Sequence, residues 1–97
     1  MMEVRFLAEV RDDLLSAMDW FDQRRSGLGE ELGNEFFAAV SRVRDQPLAF
    51  ASDHTGYRPC RLKRFTAVLY FRIEDNLVII TGLFVGGRDE TRMEDRE

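Results

Sequence analysis

Sequence signatures that announce a chemistry are missing from this chain of 97 residues. It has one cysteine, Cys60, so no internal disulfide can form, which fits a reducing compartment. It has one histidine, His54, in a polar stretch with no second His, Cys or paired carboxylate at ligand spacing. His54 therefore reads as a surface residue, and no metal site is expected. No apolar run approaches the ~20 residues needed to cross a bilayer. The first residues lack the basic-then-apolar order of a signal peptide. The expectation is a cytoplasmic protein with no membrane attachment. There is no P-loop, no GxGxxG and no nucleophile elbow, so no cofactor is expected. Internal repeats and low-complexity segments are absent too.

What the chain does have is an uneven distribution of charge. The formal net charge is −4. Residues 1–57 carry six Arg against eleven Asp and Glu, while residues 58–72 carry five basic side chains and no acidic one. The residues from Asp89 onward are again mostly acidic. The overall field repels polyanions, which argues against generic nucleic-acid binding and leaves room for one local basic face. The length fits one domain, read here as residues 1–88 followed by a polar acidic tail, 89–97.

Hydrophobic periodicity predicts the elements. Glu3 to Leu7 alternates as a half-buried strand, with Val4 and Phe6 facing the core. From about Ala8 the period becomes helical, with Val10, Leu14, Ala17, Met18 and Phe21 on one stripe and Trp20 beside it. Asp12 and Asp13 fall in the early turns, where the helix dipole favours acids. Gly27 is a candidate left-handed cap, and Ser26 to Gly29 allows only a tight turn between antiparallel helices. A second stripe follows, Leu28, Leu32, Phe36, Ala39, Val40 and Val43, which Pro47 stops. Residues 47–56 read as a loop. A strand then places Cys60 and Leu62 on one face, with Arg61 and Lys63 on the other. After a tight turn, Phe65, Ala67, Leu69, Phe71 and Ile73 line one face of the next strand, and Thr66, Val68, Tyr70 and Arg72 line its reverse. Glu74-Asp75-Asn76 is a turn. Leu77 to Val85 is apolar throughout, as in a central strand buried on both faces. The order β-α-α-β-β-β predicts a two-layer α+β sandwich, a helical hairpin packed on an antiparallel sheet.

Candidate binding residues are Arg58, Arg61, Lys63, Arg64, Tyr70, Arg72 and Arg88. Cations on an open face could stabilise the pentavalent phosphate of a ribonuclease reaction, and the residues available there are Arg61, Lys63, Tyr70, Arg72 and Arg88. No group with a tunable neutral pKa joins them, so that reading lacks its general base. A basic sheet face with an aromatic residue suffices for binding a protein.

Several stretches together resemble the RelE/ParE superfamily of bacterial toxins, which includes plasmid-stabilisation toxins. They are Asp13-Leu14-Leu15-Ser16-Ala17-Met18-Asp19-Trp20-Phe21, Gly27-Leu28-Gly29-Glu30-Glu31-Leu32, Pro47, the run from Arg61 to Arg72, and Phe84-Val85-Gly86-Gly87-Arg88-Asp89. The resemblance covers nearly the whole chain and implies the same β-α-α-β-β-β fold. It also implies a toxin neutralised by a ParD- or RelB-like antitoxin whose disordered C-terminal segment folds on binding. RelE-like members cleave mRNA on the ribosome, and ParE-like members poison DNA gyrase. For the nuclease set the resemblance implies Arg61, Lys63 and Arg88 as catalytic cations, but the middle-strand arginine corresponds here to Val68, and the position often held by His is Val85. No Tyr or His follows Tyr70, and the tail around Glu94 is acidic. These departures argue against cleavage. The resemblance therefore implies a ParE-like gyrase poison first, an mRNA endonuclease second, and an inactive binding member third.

Overall fold

The computed structural model describes residues 2–86. In chain order the elements are β1 (Glu3–Phe6), α1 (Glu9–Asp22), α2 (Leu28–Asp45), β2 (Arg58–Arg61), β3 (Ala67–Glu74) and β4 (Leu77–Val85), with a 3-10 turn at Pro47–Ala49. The predicted α+β architecture holds: the helical hairpin covers one face of a four-stranded sheet of order β1-β4-β3-β2.

Each helix forms because its apolar residues recur on one stripe. Val10, Ala17 and Phe21 of α1 are buried, as are Leu32, Phe36, Ala39, Val40 and Val43 of α2. The hairpin between them is fixed by close approach. Gly27 takes φ +90°, and the backbone N–H groups of Gly27 and Gly29 both donate to Asp22 Oδ1, at 3.1 and 2.8 Å. A Cβ at Gly29 would lie 2.4 Å from the Met18 carbonyl oxygen, so only glycine lets the helices meet there. Pro47 ends the second helix as predicted, with Asp45 the last helical residue.

The meander β2-β3-β4 is antiparallel, and β1 adds to it in parallel beside β4, which makes the sheet mixed. The two helices carry the chain back across the sheet, and the end of β1 is tied by the Leu7 N–H donating to Ile80 O. Val4 packs on the core, but Phe6 is 48% exposed. The register sets Phe6 beside Ile80 at the last position of a short strand that, among the described residues, has no further strand on its other side. The expectation that Phe6 joins the core is corrected accordingly.

β4 is buried from Val78 to Val85 and carries one irregularity. Tyr70 pairs with Gly82 but Phe71 pairs with Ile80, so Thr81 falls between two register positions. Its hydroxyl donates to Tyr70 O at 3.1 Å. This bulge shifts the alternation by one residue. Val78 and Ile80 face the helices before it, and Leu83 and Val85 after it, so one strand keeps a continuous apolar row on the core. Beyond the end of β1, the Leu83 N–H is met by Asp13 Oδ2 at 3.2 Å. Asp13 thus ties α1 to the central strand, a role that sequence position alone, which suggests only a favourable helix-dipole interaction, does not disclose.

Candidate functional site

The hairpin of β2 and β3 carries six of the seven candidate binding residues, and the fold divides them between two faces. Cys60 pairs with Leu69 and Arg58 with Phe71, so these positions look toward the helices. Arg61 pairs with Val68 and Pro59 with Tyr70, so these look away.

Arg58 is occupied on the helix side. Its guanidinium donates to the carbonyl oxygen of Phe50, and the Phe50 ring meets Phe71 edge-on at 5.7 Å. It anchors the loop after α2. Arg64 lies in the tight turn with φ +68° and reaches α2, where it bonds Glu31 at 3.4 Å and Glu35 at 3.1 Å. Arg25 holds the same Glu31 from the end of the helical hairpin, at 3.4 Å. Arg25, Glu31 and Arg64, with Phe21, Leu28, Phe65 and Thr66, line an open hollow of about 330 Å³. Glu31 and Glu35 were not singled out by sequence, because a pairing 29 to 33 residues apart leaves no local trace.

Arg61, Tyr70 and Arg72 share the face turned away from the helices. Lys63 stands at the turn beside it, exposed. Arg61 is also exposed; its carbonyl accepts from Arg42, while its guanidinium and the Lys63 ammonium make no ion pair with the described residues. Arg72 is held by Glu74 at 2.6 Å. Between these cations the face is apolar. Val68 and Tyr70 are half-buried, the Tyr70 ring meets Phe84 at 5.8 Å, and Ile79 and Phe84 are only 8% exposed although they lie on the side of the sheet away from α1 and α2. Charge and strand alternation predict a basic uncovered sheet face here. The face is instead an apolar strip with cations at its rim. Ile79 and Phe84 were legible only as members of a buried strand, not as part of this strip. Arg88 lies outside the described residues, as does the 89–97 tail.

The chemistry available follows from this layout. Glu74 is the carboxylate that β3 places on this face, and Arg72 already holds it. Arg61 stands opposite Val68, six residues along β3 from Glu74, which is roughly 20 Å. A cation and a base that far apart cannot act on one phosphate. His54 is exposed in the loop, as expected. The Cys60 thiol is buried, and burial pushes its pKa up while the nearby Arg42 charge pulls the other way. A thiol held protonated is not a nucleophile. Among the described residues no group of three or more His, Cys, Asp or Glu could hold a metal ion, and no helix is long and apolar enough to cross a membrane.

The residues thus form a two-layer α+β fold with a mixed four-stranded sheet and a cation-rimmed apolar strip on the face opposite its helices. No family model and no curated protein matches this chain. Nine chains of solved structures do match. One comes from a structure described as the chromosomal ParDE TA system from P. aeruginosa, at a TM-score of 0.75 and 16% sequence identity. The match covers 86% of this chain and 94% of that one, so the two share one fold over most of their length.

Proposed function

We propose that this protein is the toxin of a type II toxin–antitoxin pair, ParE-like, that it acts in the cytoplasm by inhibiting DNA gyrase, and that a ParD-like antitoxin neutralises it. The observation that carries the reading is the fold likeness to a chain of a ParDE TA system over nearly the full length of both chains. The site chemistry agrees. An apolar strip with cations at its rim is built for a protein surface, whose apolar residues fill the strip and whose acids meet the rim. Arg61, Lys63, Tyr70 and Arg72 are the binding residues in this reading, with Arg88 assigned to them on sequence grounds alone. Arg58 and Arg64 support them by holding the loop and α2 in place. The toxin domain is residues 1–88, and no step of the activity is enzymatic.

The test is induction of the chain in bacteria, alone and with the small acidic reading frame expected beside its gene. Growth should stop in the first case and continue in the second, with transcripts intact throughout. Transcripts cut during translation would instead make the chain a RelE-like ribonuclease. Normal growth without the antitoxin would end the toxin reading.

A further inference from the structure

Two of the large apolar side chains that the structure leaves exposed lie on the outer surface of the helical hairpin. Leu15 of α1 is 48% exposed and Phe37 of α2 is 57% exposed. The way the helices meet puts them level with each other. Met18 packs against both Gly29 and Gly33, so one turn back along α1 and one turn on along α2 bring Leu15 and Phe37 to the same height. Both are turned to the solvent side of the seam between the helices, because the next residues round each helix toward the sheet, Met18 and Gly33, form the seam itself.

The charges around this pair are ordered. Along α1, Arg11, Leu15 and Asp19 follow one another at intervals of four residues. Along α2, Glu30, Phe37 and Arg44 follow at intervals of seven. Steps of four and seven both return close to the same side of a helix. Each row therefore reads charge, apolar residue, opposite charge, with the apolar residue at its midpoint. Since the helices are antiparallel, the two arginines share one end of the hairpin and the two acids share the other. Asp19 is touched by Gln23 and Arg44 by Asp45; both are contacts within their own helix or its end that leave the outer surface open.

We infer that this face pairs with the same face of a second copy of the chain. A two-fold axis lying across the hairpin through Leu15 and Phe37 reverses each helix over its own copy. Leu15 then meets Leu15 and Phe37 meets Phe37. Arg11 of one copy meets Asp19 of the other, and Glu30 meets Arg44. A self-complementary patch of this kind is what an isologous dimer requires. The opposite in-plane axis would set arginine on arginine and acid on acid, so charge selects the antiparallel arrangement. The patch is small, with two apolar anchors per copy, so the dimer forms reversibly at raised protein concentration. The surface lies on the far side of the helices from the sheet strip, and the inference does not depend on the proposed toxin activity.

Sedimentation equilibrium of the whole chain tests it. The expected result is a concentration-dependent monomer–dimer equilibrium that weakens with added salt. Phe37→Glu removes the dimer while its circular dichroism and melting curve stay as in the wild type, because the side chain is exposed. Arg11→Asp weakens the dimer about tenfold, and Arg11→Asp combined with Asp19→Arg restores it. A chain that stays monomeric to about a millimolar overturns the inference and leaves the face to a helix of another protein. So does a dimer that survives Phe37→Glu, or a double variant no better than Arg11→Asp alone.

Discussion

At the residue scale, three side-chain environments decide what this molecule can and cannot do. Gly29 has no room for a methyl group, with the Met18 carbonyl at 2.4 Å and the Asp22 carboxyl at 2.9 Å from where a Cβ would sit. Gly29→Ala should lower stability by about 1–3 kcal/mol in a urea titration, because the helices must part to admit it. Asp75 has the opposite problem. It is the first residue of the two-residue turn between β3 and β4 and takes φ +57°. Relief of that left-handed conformation should make Asp75→Gly more stable by about 0.5–1 kcal/mol, read as a higher urea midpoint. Cys60 is 1% exposed and its thiol is held protonated by burial. Alkylation of native protein at mildly alkaline pH should proceed at the rate of unfolding, and at the full rate of a free thiol in denaturant. Fast native labelling would mean that β2 opens far more readily than its packing implies.

At the element scale, the β2–β3 hairpin is held by different chemistry on its two sides. On the helix side, Arg58 anchors the loop at Phe50 and Arg64 clamps Glu31 and Glu35. On the other, Arg61 and Lys63 are exposed. Arg61→Glu with Lys63→Glu should therefore leave the melting curve nearly unchanged and, under the proposed function, weaken binding of the antitoxin about tenfold or more, measured by calorimetric titration. The loop before β2 contributes a pH dependence. The Thr55 hydroxyl bonded to Asp53 holds that carboxyl below its ordinary value, opposed by burial and helped by backbone N–H groups and His54. A carboxyl whose folded pKa is lowered adds stability above its unfolded pKa and loses it as pH falls through the folded value. Asp53→Asn should thus be less stable than wild type at neutral pH, and the difference should close in acid below the carboxylate range.

At the scale of the whole molecule, the parts legible in sequence are those that local periodicity controls. The stripes Val10–Phe21 and Leu28–Val43, the stop at Pro47, and the doubly buried Leu77–Val85 each leave a repeat that can be counted. Pairing between distant segments leaves none. That β1 lies parallel beside β4, that Asp13 meets the Leu83 N–H seventy residues away, and that Thr81 bulges to keep the core row continuous are all settled by tertiary packing. The same limit applies to the candidate site. Arg58 and Arg61 are three residues apart on β2, so strand alternation separates their faces although charge alone places them in one basic patch. Arg64 looked like one more cation of a basic patch, and α2 supplies the acids that occupy it. Only the assembled sheet shows Val68, Tyr70, Ile79 and Phe84 as an apolar strip, the feature on which the proposed protein-binding role rests. The measurement that bears most directly on this account is DNA supercoiling by gyrase in the presence of the purified chain. A gyrase poison of the proposed kind should abolish supercoiling and trap cleavage complexes, with reversal by the antitoxin; supercoiling that continues unchanged at high excess of the protein would contradict that function.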